Sequence, residues 1–271
     1  MDSLFFLAPA LVFCLLLVIS HSYFGLHVLA RGIIFIDLAL AQIAALGLSI
    51  AFLLGYDSHS YVASVSAFTA TLIAALLFSR LRFIKDKTSR EITIGSVYVV
   101  ATALSILILS RSVQGMEQLK SLLNGDVLWV SWTDVALTGI LYAAVLLLHL
   151  IYRQRFYQLS FETSADNDSR WEVLFFVSFA VVITLAVTRA GILLVFAYLI
   201  LPAFSASLAT QNIKQRLFIA WPLSILATLL GLICAYQLDL PVGATLVACL
   251  GLLPLLILGY KGLTSRRKRM A

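Results

Sequence analysis

Apolar residues arrive in nine long stretches, near residues 4–20, 33–53, 61–79, 93–110, 133–151, 172–188, 191–209, 217–237 and 243–260. A helix needs about 20 such residues to cross the hydrocarbon of a bilayer. No water is present there to satisfy loops or open sheet edges, so the pattern restricts the chain to an all-α polytopic membrane protein with about eight or nine transmembrane helices. With 62% hydrophobic and 12% charged residues, a soluble domain of this length is excluded. No repeat or low-complexity linker interrupts the pattern, which predicts one transmembrane domain over residues 1–271.

Orientation follows from the basic residues, which concentrate in cytoplasmic loops. With the N-terminus outside and the C-terminus cytoplasmic, the inner segments hold 16 of the 19 Lys and Arg residues, including the tail 261–271. Arg111, Lys120 and Arg189 remain outside. The net charge of +6 is therefore explained by inner-leaflet lipid and gives no reason to expect nucleic acid. The first apolar stretch lacks a basic approach and is expected to be retained as a helix. Cys14, Cys234 and Cys249 lie in apolar segments without CxxC spacing, which argues against disulfides or a zinc site.

Three loops are more than connectors. Thr88 and Glu91 have the spacing of a capping box, so the fourth span is expected to start there, with Glu91 either a cap or a partner contact. Met116, Leu119, Leu122 and Leu123 recur at helical spacing before Asn124-Gly125, which predicts a short interfacial helix. That helix is either an anchor on the bilayer or an outer gate or docking surface formed by Met116, Leu119 and Leu123. The polar stretch 152–171 is long enough for another short helix, which either is merely solvated or binds something.

Asp37 and Gln42 interrupt the second apolar stretch. A carboxylate in the first turn of a helix gains about 0.3–1 kcal/mol from the dipole. Against this, placing it deep in a membrane costs about 2.5–3.5 kcal/mol, so such residues are kept for a pathway or a partner. Both readings stand for Asp37. Gln42, five residues on, points about 140° away on an ideal helix, so the two cannot easily hold one ion together. Pro202, with Ser205 nearby, bends a later stretch and either lines a path or simply packs. The four histidines are scattered and read as residues of helix ends and interfaces. There is no phosphate loop of the GxxxxGK[ST] type, no HExxH and no GxSxG.

These residues resemble the membrane permease subunits of ABC transporters that import zinc, manganese or iron. The resemblance is carried by FIDLALAQIAALG (Phe35 to Gly47), EITIGSVY (Glu91 to Tyr98), LKSLLNGDVLWVSWTD (Leu119 to Asp134), GILLVFAYLILPAFSASLA (Gly191 to Ala209) and DLPVGATLVACLG (Asp239 to Gly251). It implies an importer permease fold similar to the vitamin B12 and siderophore permeases, in a bacterial inner membrane. It further implies a second permease copy, a pair of cytoplasmic ATPases that use the ATP, and a substrate-binding protein outside. This chain would bind no cofactor and perform no catalysis. Asp37, Gln42, Pro202 and Ser205 become candidates for the translocation path. Phe161, Glu162, Thr163, Ser164, Ala165 and Asp166 fall where similar permeases carry the coupling helix, although FETSADNDSRW departs from the usual run there.

A second departure concerns the cargo. Similar zinc and manganese permeases carry an Asp and a His one turn apart on the second helix, the His where Gln42 stands and the Asp one position after Asp37. Gln is a poor zinc ligand, so that pair is broken here. Rival readings are a secondary transporter driven by an ion gradient, an intramembrane enzyme and a purely structural subunit. The first needs buried carboxylates, of which Asp37 is almost the sole example, and the second needs a clustered nucleophile and base, which the sequence lacks.

Overall fold

The computed structural model describes residues 2–57, 60–84, 86–162 and 169–270. Ten α-helices follow in order: α1 Asp2–Arg31, α2 Ile36–Leu53, α3 Tyr61–Phe78, α4 Lys87–Leu109, α5 Gly115–Asn124, α6 Trp132–Ile151, α7 Arg153–Phe161, α8 Ser169–Ala209, α9 Ile213–Leu238 and α10 Val242–Met270. Eight of them, all but α5 and α7, are long and apolar enough to cross a membrane.

The 41-residue α8 is two spans rather than one. A straight helix of that length would reach about 60 Å, twice the hydrocarbon thickness. It breaks at Gly191, whose φ of 74° and ψ of 165° are not helical. A Cβ there would lie 2.3 Å from the nitrogen of Gly125, and one on Gly243 would lie 2.3 Å from the Asn124 carbonyl oxygen, so the break sits beside α5 and the start of α10. The two ends of α8 point the other way: Glu172 meets Arg31 at the end of α1, and the Leu208 carbonyl accepts from Lys261 on α10. Residues 169–190 and 191–209 thus form a hairpin, giving nine crossings among the described residues and matching the apolar stretches.

Two ends of the bundle are defined by these contacts. The end carrying Arg31, Lys87, Arg153, Lys214 and Lys261 is basic. At the other end, Gly125 (φ 69°) terminates α5, the Arg189 carbonyl accepts from Asp126 N–H at 3.0 Å, and Arg189 Nη2 pairs with Asp134 at 2.7 Å. Asp134 also completes a capping box with Ser131 at the start of α6. Trp129 and Trp132 are exposed there, as amphipathic rings at a membrane boundary are.

Burial separates centre from rim. In α2 and α8, 67% of the most apolar stretch is buried, against 22% in α4 and α6 and 17% in α10. Small residues make the centre possible: Ser66 Oγ donates to the Gly47 carbonyl at 2.8 Å, an approach of α3 to α2 that leaves no room for a side chain at 47.

Two sequence expectations are corrected. α1 runs on to Arg31 instead of ending near residue 20, because Ser20, His21 and His27 are buried against neighbouring spans instead of entering a loop. The capping box at Thr88 does not form: Asp86 caps α4, accepting from Ser89 N–H at 2.7 Å, and these bonds hold its carboxyl below the ordinary range. Glu91 is freed and accepts the Phe35 N–H at the start of α2, at 2.9 Å.

Candidate functional site

Asp37 lies in the first turn of α2, and the structure leaves it wholly buried with neither carboxylate oxygen hydrogen-bonded. The helix-end role falls to Glu91, which answers the free N–H at Phe35. An unpaired buried carboxylate is otherwise rare, and inside a span it marks a functional group. Gln42 is also buried, on a different face of a helix enclosed on most sides. Pro202 and Ser205 sit in the second limb of α8, and Ser205 Oγ too is buried without a partner. All four path candidates are therefore inside the chain's own bundle, closed off from its outer surface.

Two further unpartnered atoms lie in the middle of α1, Ser22 Oγ and His21 Nε2. Ser20 donates to the Leu16 carbonyl at 2.8 Å, so it accepts from His21 Nδ1 and leaves Nε2 as a bare lone pair. Helices α1 and α2 both pack on α8, so these atoms belong to three neighbouring spans. Among the described residues no three His, Cys, Asp or Glu side chains converge on one point.

At the basic end, α7 is fastened to the bundle by aromatic and imidazole groups. Phe156 stacks on His149 with centroids 3.8 Å apart and planes 1° from parallel. Ser178 spends its proton on the Phe175 carbonyl, so it accepts from His149 Nε2–H at 2.8 Å, and Nδ1 then accepts from the Tyr23 hydroxyl at 3.0 Å. Ser160 on α7 bonds His27 Nδ1 at 2.8 Å. His27 and His149 are thus buried connectors, correcting their reading as interfacial residues. Of the coupling candidates, Phe161 ends α7, Glu162 follows it, and Thr163, Ser164, Ala165 and Asp166 lie outside the described residues.

Arg31 and Glu172 form an ion pair of 2.6 Å beside α7, with side chains 8% and 11% exposed. Breaking a buried pair strands a charge. Glu172→Gln should lower stability by about 3–5 kcal/mol, whereas the joint replacement Arg31→Met with Glu172→Leu should recover most of it, read as melting temperature in detergent.

At the opposite end α5 presents Met116 at 73% exposure, while Leu122 is buried and Leu119 and Leu123 pack on the core. The three docking candidates are brought together with Leu193 along one shallow groove.

A family model described as the ABC 3 transport family matches residues 3–261. This chain belongs to the ABC 3 transport family. It is 26% identical over 255 residues, 92% of this chain and 87% of the relative, to a Chlamydia pneumoniae protein that bears the name "Probable metal transport system membrane protein". It is also 26% identical to the manganese transport system membrane protein MntC of Listeria innocua, over 89% of this chain and 86% of that one. Its fold matches the structure titled PsaBC from Streptococcus pneumoniae in complex with Fab, with a TM-score of 0.75, 24% identity and coverage of 93% of this chain and 90% of that one. As an ABC 3 family member the chain is a multi-pass membrane protein with an ABC transporter permease fold.

Sequence reasoning missed the α7 fastening and the Arg189–Asp134 tie. Histidine spacing gave no sign of the first, since His27 and Ser160 are 133 residues apart.

Proposed function

We propose that this chain is the permease subunit of an ATP-driven importer of divalent transition-metal ions in a bacterial inner membrane. It would work with a second copy of itself, two cytoplasmic ATPases at the basic end and a substrate-binding protein at the α5 end. The observation that carries this reading is the family match across nearly the whole chain, joined to a sequence without a phosphate loop of its own. The basic end is assigned to the cytoplasm by its lysines and arginines, which puts the N-terminus outside.

In this reading residues 161–166 receive the movement of the ATPases. Through Phe156, His149 and His27 that movement reaches α1, α6 and α8, the helices on which α7 rests. Shifting α8 against α2 would uncover Asp37, Gln42, Pro202 and Ser205, which are closed in the conformation described. The path candidates offer oxygen donors, with no thiolate or imidazole at Gln42. Carboxylate and carbonyl oxygens suit manganese better than zinc, and relatives named for manganese and iron support placing zinc last.

Vesicles holding the chain with its ATPase should take up Mn²⁺ or Fe²⁺ ahead of Zn²⁺, and only with ATP. Uptake driven by a proton gradient without nucleotide would instead favour a secondary transporter, for which the buried Asp37 is the one supporting feature. Ser160→Ala removes a single hydrogen bond of about 1 kcal/mol, so the protein should fold while metal moved per ATP hydrolysed falls several-fold. An unchanged ratio would remove α7 from the transmission.

A further inference from the structure

A cavity of about 340 Å³ opens at the basic end between the last turn of α1, the first turn of α4, the end of α7 and the start of α8. Arg31, Lys87 and Arg90 line it, with Glu162 and Glu172 as the carboxylates. Glu91 is not among the lining residues; its Oε1 accepts from Phe35 and its Oε2 is buried without a partner. Glu172 is spent on Arg31, whose Nη2 donates to it at 2.6 Å. The other terminal nitrogen of that guanidinium, Nη1, is buried with nothing to donate to, and so is Nε of Arg90.

The Arg31 side chain is held away from bulk solvent. Its side chain is 8% exposed, and its Cζ lies 4.4 Å from the Phe175 ring centroid and 5.5 Å from that of Phe176. Arginine cannot shed its proton in a protein, so the donor and the charge both persist. Three cations and two carboxylates line the space, an excess of one positive charge in a lining that could hold a small polyatomic group; Asp86, which caps α4, acts on Arg90 from outside that lining. Water could accept the two N–H groups but would leave that charge standing. A tetrahedral oxyanion satisfies both, because its several oxygens can take donors arriving from different helices.

We propose that this cavity binds a phosphate-type oxyanion, held by Arg31 Nη1, Arg90 and Lys87. The phosphate comes either from an anionic lipid headgroup, which the position at the end of the spans would admit, or from free phosphate. The site stands apart from the transport reading, and its test reads binding alone.

The full chain would be purified in detergent and placed in nanodiscs of phosphatidylcholine with and without phosphatidylglycerol. Native mass spectrometry then reads retained phosphatidylglycerol, and melting in phosphate-free detergent buffer with added inorganic phosphate reads the free ion. Retention of phosphatidylglycerol over phosphatidylcholine identifies the lipid source, and stabilisation by inorganic phosphate without such retention identifies the free ion. In either case Arg90→Gln and Lys87→Gln should each weaken binding about fivefold, while Lys214→Gln, basic but outside the cavity, should not. Arg90 is in neither ion pair among the described residues, and circular dichroism would verify that its variant is folded. Equal binding by wild type and a folded Arg90→Gln chain overturns the proposal, and so does no binding in either arm.

Discussion

Gly191→Val should leave almost no folded protein. The φ of 74° and ψ of 165° at this position belong to a region open essentially to glycine alone, where a side chain costs about 1–3 kcal/mol. Sterics add more, since a Cβ would lie 2.3 Å from Gly125 N and 2.7 Å from the Asn124 carbonyl carbon, backbone atoms that cannot rotate aside. The hairpin of α8 would then lose its seat against α5, and the two most central limbs of the bundle would lose their register. Gly95→Ala, where no atom lies within 4 Å, is the matched control and should be close to neutral. Size-exclusion profiles and melting curves in detergent decide the matter. A monodisperse valine variant melting with the wild type would mean that residues 169–209 do not turn back at Gly191.

Asp37→Asn should reduce metal uptake by about tenfold or more, the size expected when one charged ligand or hydrogen-bond acceptor of about 1.5–3 kcal/mol is lost. Its stability should hold or rise. Burying an ionised carboxylate without a partner is costly, so a neutral amide of the same shape relieves a penalty rather than removing a support. The opposed signs make this experiment informative: a structural residue would lose both properties together. Uptake at the wild-type rate would take Asp37 out of the path and leave its burial unexplained.

The spans were legible because hydrocarbon imposes one long period on the sequence, and even the turn at Ala190-Gly191 fell between two apolar stretches. What escaped was set by tertiary partners. Ser20, His21 and His27 look like the end of a helix when hydropathy is averaged, yet α1 continues through them: Ser20 bonds the α1 backbone and His21, the His21 ring packs on Tyr142 of α6, and His27 bonds Ser160 of α7. Glu91 was misread because Asp86 competes for the same helix start, a local contest that spacing alone does not resolve. Asp37 and Gln42 stood out at once. That neither carboxylate oxygen of Asp37 finds a donor is a property of the packed bundle, invisible in a string of residues.

The fastening of α7 carries a consequence for solution behaviour. Rings stacked face to face and hydrogen bonds between hydroxyls and imidazoles hold it, and the ion pair beside it, Arg31–Glu172, is buried. Salt screens exposed charges and leaves buried pairs largely untouched. Raising potassium chloride from dilute to near-molar concentrations should therefore loosen whatever rides on the basic surface while the hinge beneath it keeps its grip, so that high salt would uncouple the machine by dissociation and never by slackening within the permease itself.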